Sequence, residues 1–125
     1  MEEFKPPTVG HGKICYLEIP ALDLKVSADF YATVFNWRIR TRDDGSTAFD
    51  DGVGEVSGSW VTNKKAVADS GYMVHIMVDD IEATMAMVKS NGGKITQEVG
   101  ADAPEITAKF SDPAGNIFGL YQEPV

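Results

Sequence analysis

Tyr72-Met73-Val74-His75-Ile76-Met77-Val78, turning through Asp79-Asp80 into a segment that stops at Asn91-Gly92-Gly93, is the stretch whose reading decides the fold. Its first seven residues are rich in strand formers. Asp80 is a good N-cap for a helix carrying Ile81, Thr84, Met85 and Val88 on one side, and the glycines at 92 and 93 suit a left-handed C-cap. Residues 14–36 repeat this plan. Ile14-Cys15-Tyr16-Leu17-Glu18-Ile19 reads as a strand, Pro20-Ala21-Leu22 as a joint, and Asp23 as a cap. Leu24, Ala28, Tyr31 and Phe35 then recur at i, i+4, i+7 and i+11 as the apolar stripe of a helix. Setting Asp23 against Asp80 and Ile19 against Val78 puts Tyr16 opposite His75, so the chain reads as two copies of one unit.

Each copy continues with three strands. In the first, Trp37-Arg38-Ile39-Arg40-Thr41 alternates, breaks at Asp43-Asp44-Gly45-Ser46, and gives way to strands over 47–49 and 53–61. In the second, strands are expected over 94–99, 106–111 and 117–121, the last two joined by the turn sequence Asp112-Pro113-Ala114-Gly115-Asn116. The expected class is α+β, with two tandem βαβββ units: unit one over 13–61, a linker over 62–70, and unit two over 71–122. Residues 1–12, with Pro6-Pro7 and no periodicity, read as a flexible N-terminal arm that holds His11 in solvent. Period-two alternation in the first strand sets apolar Cys15, Leu17 and Ile19 under a helix, which makes Cys15 a buried structural thiol. Ile14, Tyr16 and Glu18 fall on a wetter face. Met85 and Met87 read as core filler.

Composition narrows the function. A chain of 125 residues is one compact domain by size, and 43% hydrophobic with 24% charged residues is ordinary for a globular protein. A net charge of −8, with basic residues that read as scattered and Lys64-Lys65 as their densest pair, argues against nucleic-acid binding. The single cysteine cannot form an internal disulfide, and no apolar stretch is long enough for a membrane span or a signal-peptide core. The expectation is a cytoplasmic protein with no membrane partner. No nucleophile motif, phosphate-binding glycine loop or Cys-His metal spacing is present in the sequence.

Several segments in series resemble the vicinal oxygen chelate superfamily, which includes glyoxalase I, bleomycin-resistance proteins and extradiol dioxygenases. They are Glu18-Ile19-Pro20-Ala21-Leu22-Asp23, Phe30-Tyr31-Ala32-Thr33-Val34-Phe35-Asn36-Trp37, Val78-Asp79-Asp80-Ile81, Gly92-Gly93-Lys94 and Phe110-Ser111-Asp112-Pro113-Ala114-Gly115-Asn116. The resemblance spans about residues 13–122 and implies paired units whose curled sheets form a cupped site, in small members often shared between the chains of a homodimer. It also implies four metal-ligand positions, on the first and last strand of each unit. Matching Ser57-Gly58-Ser59-Trp60 with Phe118-Gly119-Leu120-Tyr121 puts these at Tyr16, Gly58, His75 and Gly119. Only His75 is a good ligand, so the expectation is a site with no metal and no cofactor.

Glycines at 58 and 119 leave room where ligands would stand, and the expected lining of the cup is Tyr16, Glu18, Trp60, Met73, His75, Met77 and Tyr121. The leading expectation is a binding protein of the bleomycin-resistance kind for a small aromatic or cationic molecule, stacked on Trp60 or Tyr121 and paired with Glu18. The alternative is a lyase, isomerase or dioxygenase-type enzyme using His75. In its metal-free form His75 or Glu18 would act as general base and Tyr16 as hydrogen-bond donor to an oxyanion.

Overall fold

The computed structural model describes residues 6–68 and 71–124. Strand β1 (Tyr16–Pro20) leads into α1 (Leu24–Phe35), then β2 (Arg38–Thr41), β3 (Thr47–Asp50) and β4 (Ser57–Val61). The order recurs as β5 (His75–Met77), α2 (Ile81–Ser90), β6 (Lys94–Gln97), β7 (Ile106–Ser111) and β8 (Ile117–Gln122). Each unit forms its own four-stranded sheet, β1-β4-β3-β2 in sheet one and β5-β8-β7-β6 in sheet two. This is the α+β architecture of two βαβββ units that the repeat predicts.

Local chemistry sets the helix limits where the sequence places them. The Asp23 carboxylate accepts from Val26 N and that of Asp80 from Ala83 N, so each helix starts on a satisfied cap. Helix α1 ends on Asn36 in the left-handed region at φ 63°. After α2 the two glycines divide the work. Gly92 takes the left-handed turn at φ 94°. Gly93 lets the chain pass close to its neighbours, since a Cβ there would lie 2.7 Å from Val88 Cγ1 and 2.8 Å from the Ser111 carbonyl.

Several strand ends differ from the sequence reading. β5 holds only His75–Met77, and the preceding Tyr72 is 99% exposed. β4 begins at Ser57, because Asp51 accepts from the backbone of Glu55 and Val56 and winds the residues before it into turns. β1 begins at Tyr16, which leaves Cys15 outside the alternation. Its thiol is exposed, so the expectation of a buried structural cysteine is corrected. Within the arm, Thr8 donates from its backbone and hydroxyl to Glu55, which Lys13 also bridges at 3.1 Å. The linker is described up to residue 68 and again from 71. Its Val67 amide donates to the Asn116 side chain and its carbonyl accepts from Ile117.

Both units share one core. Ile19, Phe49 and Trp60 from sheet one, Phe30 and Tyr31 from α1, Ile81, Met85 and Val88 from α2, and Ala108, Phe110, Phe118 and Leu120 from sheet two form a single cluster. Tyr31 stacks on Trp37 at 4.6 Å and meets Phe118 at 5.7 Å, while Phe30 and Phe35 both reach Phe110. Aromatic contacts of this kind add to large apolar burial and lock the units back to back through their helices. The Tyr31 hydroxyl donates to Asp112 at 2.9 Å, and Asp112 also accepts from the Ala114 and Asn116 amides and the Asn116 side chain. Burial, with the Asp112 carboxylate beside it, pushes the Tyr31 phenol well above its ordinary pKa. Asn116 donates in turn to the Pro20 carbonyl at 2.7 Å, tying the end of β1 to unit two. Among the described residues no helix is long and apolar enough to cross a membrane.

Candidate functional site

Register decides which side chains can form a site. In sheet one the rows Arg38-Asp50-Ser57-Tyr16 and Arg40-Ala48-Ser59-Glu18 lie across the strands on one face, and Ile39-Phe49-Gly58-Leu17 lies on the other. The second set, with Ile19 and Trp60, faces the shared core. In sheet two, His75-Gly119-Lys109 and Met77-Tyr121-Thr107 share the outer face, while Ile76-Leu120-Ala108 faces the core. Each sheet therefore turns one face inward to the helices and the other outward, and the two outer faces lie on opposite sides of the molecule.

The outer face of sheet two holds a shallow cavity of ≈ 510 Å³ lined by His75, Met77, Thr107 and Tyr121, with Asp102 and Glu105 from the β6–β7 loop. The Met77 side chain is 66% exposed. The His75 ring lies against the Gly119 backbone, where a Cβ would stand 2.5 Å from its Cε1. Asp102 accepts from Thr107 Oγ1 at 2.6 Å, which fixes the loop against β7. Burial raises the pKa of the Tyr121 phenol, and Glu123 beside it acts in the same direction.

The outer face of sheet one is polar. Tyr16, 42% exposed, reaches across the sheet so that its hydroxyl accepts from Arg42 Nη2 at 2.8 Å, with the Arg42 guanidinium 5.8 Å from the Tyr16 ring centroid. A hydrogen bond from Ser59, and next the Arg42 guanidinium, hold the Tyr16 phenol below its ordinary pKa against the opposing pull of burial and of Glu18. Arg40 makes a two-pronged bond to Asp50, through Nε at 3.0 Å and Nη2 at 2.9 Å, and Ser57 donates to the same carboxylate. Burial opposes ionisation of Asp50, but Arg40 and Ser57 outweigh it and lower the pKa of its carboxyl. Glu18 is paired with Lys64 at 2.8 Å.

Of the residues expected in the cup, Tyr16 and Glu18 stand on the outer face of sheet one, and His75, Met77 and Tyr121 gather around the cavity of sheet two. Met73, half-buried, precedes β5 and does not line that cavity. Trp60 is corrected to a core residue. It is 3% exposed and packs on Phe49 at 4.8 Å, so nothing can stack on it from outside. Gly58 is likewise on the core face, where a Cβ would run into the Leu17 carbonyl and the Phe49 ring. The match of Gly58 to Gly119 slips by one residue: Tyr16 pairs with Ser57 and His75 with Gly119, so Ser57 is the counterpart of Gly119. The donors at the metal positions are then a phenol, a serine hydroxyl, one imidazole and a glycine, a set that does not fit a divalent ion. Among the described residues no group of three or more His, Cys, Asp and Glu side chains could hold one.

Sequence reasoning missed Ser57, Ser59, Thr107, Asp102, Glu105 and above all the arginines. All three arginines of the chain stand at alternate positions 38, 40 and 42, and a period-two reading of charge would have placed them on one face.

The model of the Glyoxalase/Bleomycin resistance protein/Dioxygenase superfamily matches residues 13–120. The chain belongs to this superfamily. It is 29% identical over 130 residues to a glyoxylase-like domain-containing protein of Didymella fabae, an alignment covering 91% of this chain and 96% of the relative. Among solved structures it is similar to a glyoxalase/bleomycin resistance protein/dioxygenase family enzyme from Burkholderia phytofirmans, with a TM-score of 0.73 and 14% identity over 89% of this chain and 98% of that one. It is also similar to TnmS3, an antibiotic binding protein from Streptomyces, with a TM-score of 0.71 and 18% identity over 94% and 100% of the two chains. At such identities the likeness carries the fold, which matches the superfamily's paired-unit architecture.

Proposed function

We propose that the protein binds a small molecule without metal, in a cup assembled between two copies of the chain. The outer face of sheet two, with His75, Met77 and Tyr121, supplies one wall. The outer face of sheet one of the second copy, with Tyr16 and Glu18, supplies the other. The observation that carries this reading is the shared core: the two outer faces lie on opposite sides of one molecule, so only a second copy can set one against the other. A wall that is largely apolar with a few polar groups suits a small organic ligand. Stacking on Trp60 has no place in this reading, because Trp60 is 3% exposed, and Glu18 is paired with Lys64 at 2.8 Å.

The experiment is total metal analysis of untagged protein before and after incubation with Ni, Zn, Mn and Fe(II), alongside His75→Ala and sedimentation equilibrium. The expected result is a dimer with no stoichiometric metal. Stoichiometric metal that disappears in His75→Ala, or a monomer at every concentration, would overturn the proposal.

One observation favours a second reading, a metal-free isomerase or lyase. A hydrogen bond from Ser59, and next the Arg42 guanidinium, lower the pKa of the Tyr16 phenol, the direction that proton transfer by a tyrosine needs. Turnover of a bound compound that Tyr16→Phe abolishes would decide for it, and recovery of the compound intact would decide against it.

A further inference from the structure

The polar wall carries Asp50 and Glu18 as well as arginines, but each of these carboxylates is already paired, with Arg40 and with Lys64. The chain as a whole carries −8, yet its three arginines converge on the outer face of sheet one. The Asp50 carboxylate compensates Arg40 through the two-pronged bond. Arg42 is different, because the partner of its Nη2 is a neutral phenol, which occupies one N–H and leaves the positive charge in place. The Asp44 carboxylate, in the adjoining turn, accepts from the Ser46 backbone amide at 2.9 Å.

The hydrogen-bond count at Tyr16 points the same way. A phenol oxygen has one O–H to donate and lone pairs to accept with. Here Arg42 donates to it at 2.8 Å, so the pair offers the phenol O–H and the other guanidinium N–H groups, donors all, on the polar face of the sheet. Donors set together without an acceptor need an oxygen that only accepts, and a planar carboxylate with two such oxygens matches a phenol O–H and a guanidinium edge.

We infer that Tyr16 and Arg42 form an anion subsite that takes the carboxylate of an aromatic or other planar acid, whose apolar body then lies toward the His75, Met77 and Tyr121 wall of the partner copy. The inference rests on the binding function proposed above and names the ligand class of that site. Asp50 is a positioning residue: it holds Arg40 back from the phenol.

The test is NMR titration of the full-length protein at neutral pH with three probes of one shape and different charge: benzoate, benzamide and benzamidine. Benzoate should give saturable shifts at Ser57, Ser59 and the Arg42 side chain. It should bind at least about tenfold more tightly than the other two, as charge-assisted hydrogen bonds require. Arg42→Gln should weaken benzoate about tenfold and Tyr16→Phe about fivefold, while Lys94→Gln on sheet two leaves it unchanged. Equal or tighter binding of benzamide or benzamidine, or benzoate binding indifferent to Arg42→Gln in a folded variant, overturns the anion subsite and leaves the binding function standing. No saturable shift with any probe overturns both.

Discussion

Gly58→Ala and Gly119→Ala, made side by side, should separate the core face from the ligand face of the two central strands. At Gly58 the added Cβ would stand inside contact distance of the Leu17 carbonyl and 2.7 Å from Phe49 Cε2, where ordinary contact begins at 3.4 Å. The carbonyl belongs to the β1–β4 pairing and the ring is fully buried between Trp37 and Trp60, so neither neighbour can step aside cheaply. Overpacking of a tight core costs about 1–3 kcal/mol, and with backbone involved the upper end, about 3 kcal/mol, is expected. On a total of about 5–15 kcal/mol that lowers Tm by about 10–15 °C for a domain of this size. At Gly119 the three atoms nearest the Cβ all belong to the His75 ring, which lies on the open face and can rotate away. The cost there should be below about 1 kcal/mol, with the His75 ring resonances displaced instead. Urea denaturation gives the energies and two-dimensional NMR of the imidazole gives the displacement. If Gly119→Ala destabilises the protein more than Gly58→Ala, the face assignment is wrong, and the mapping of the ligand positions fails with it.

Four other outcomes follow from the same packing and hydrogen bonding. Asn116→Ala removes bonds to the Pro20 carbonyl, the Asp112 carboxylate and the Val67 amide at 2.7–2.9 Å, and should cost about 3–5 kcal/mol by urea denaturation. Trp60→Phe gives up some buried area but also removes an indole N–H that has no hydrogen-bond partner among the described residues, so its net cost should stay below about 1.5 kcal/mol in the same assay. Cys15, exposed ahead of β1, should react stoichiometrically with Ellman's reagent in native protein, without the wait for unfolding that a core thiol would impose. Because the folded state lowers the Asp50 pKa, Asp50 contributes stability above the ordinary carboxylate value of about 3.9, and this is lost as pH falls below it; the Tm gap between wild type and Asp50→Asn should close over that interval.

The fold was legible because its signals are local and repeated. Asp23 and Asp80 cap their helices as their position before an apolar stripe implies, and the stripe on α1 delivers Phe30 and Tyr31 to the core. The site was less legible because it depends on which face a residue takes, a matter of single-residue register between strands far apart in sequence. Glycine was a poor marker for that purpose: with no side chain it looks the same on either face, so aligning Gly58 with Gly119 carried Trp60 to the wrong side of the sheet. The arginines were hidden differently. Counted along the chain they are sparse, yet alternation concentrates them on one wall, and their meaning comes from Tyr16, which arrives from the far edge of the sheet across β4 and β3. A domain with strongly negative net charge has thus gathered all its arginines on one outer face, where one of them donates to the Tyr16 phenol. Solubility does not require that placement, and the register by itself does not require arginine at three successive outward positions. Recognition of an anion by the wall accounts for both.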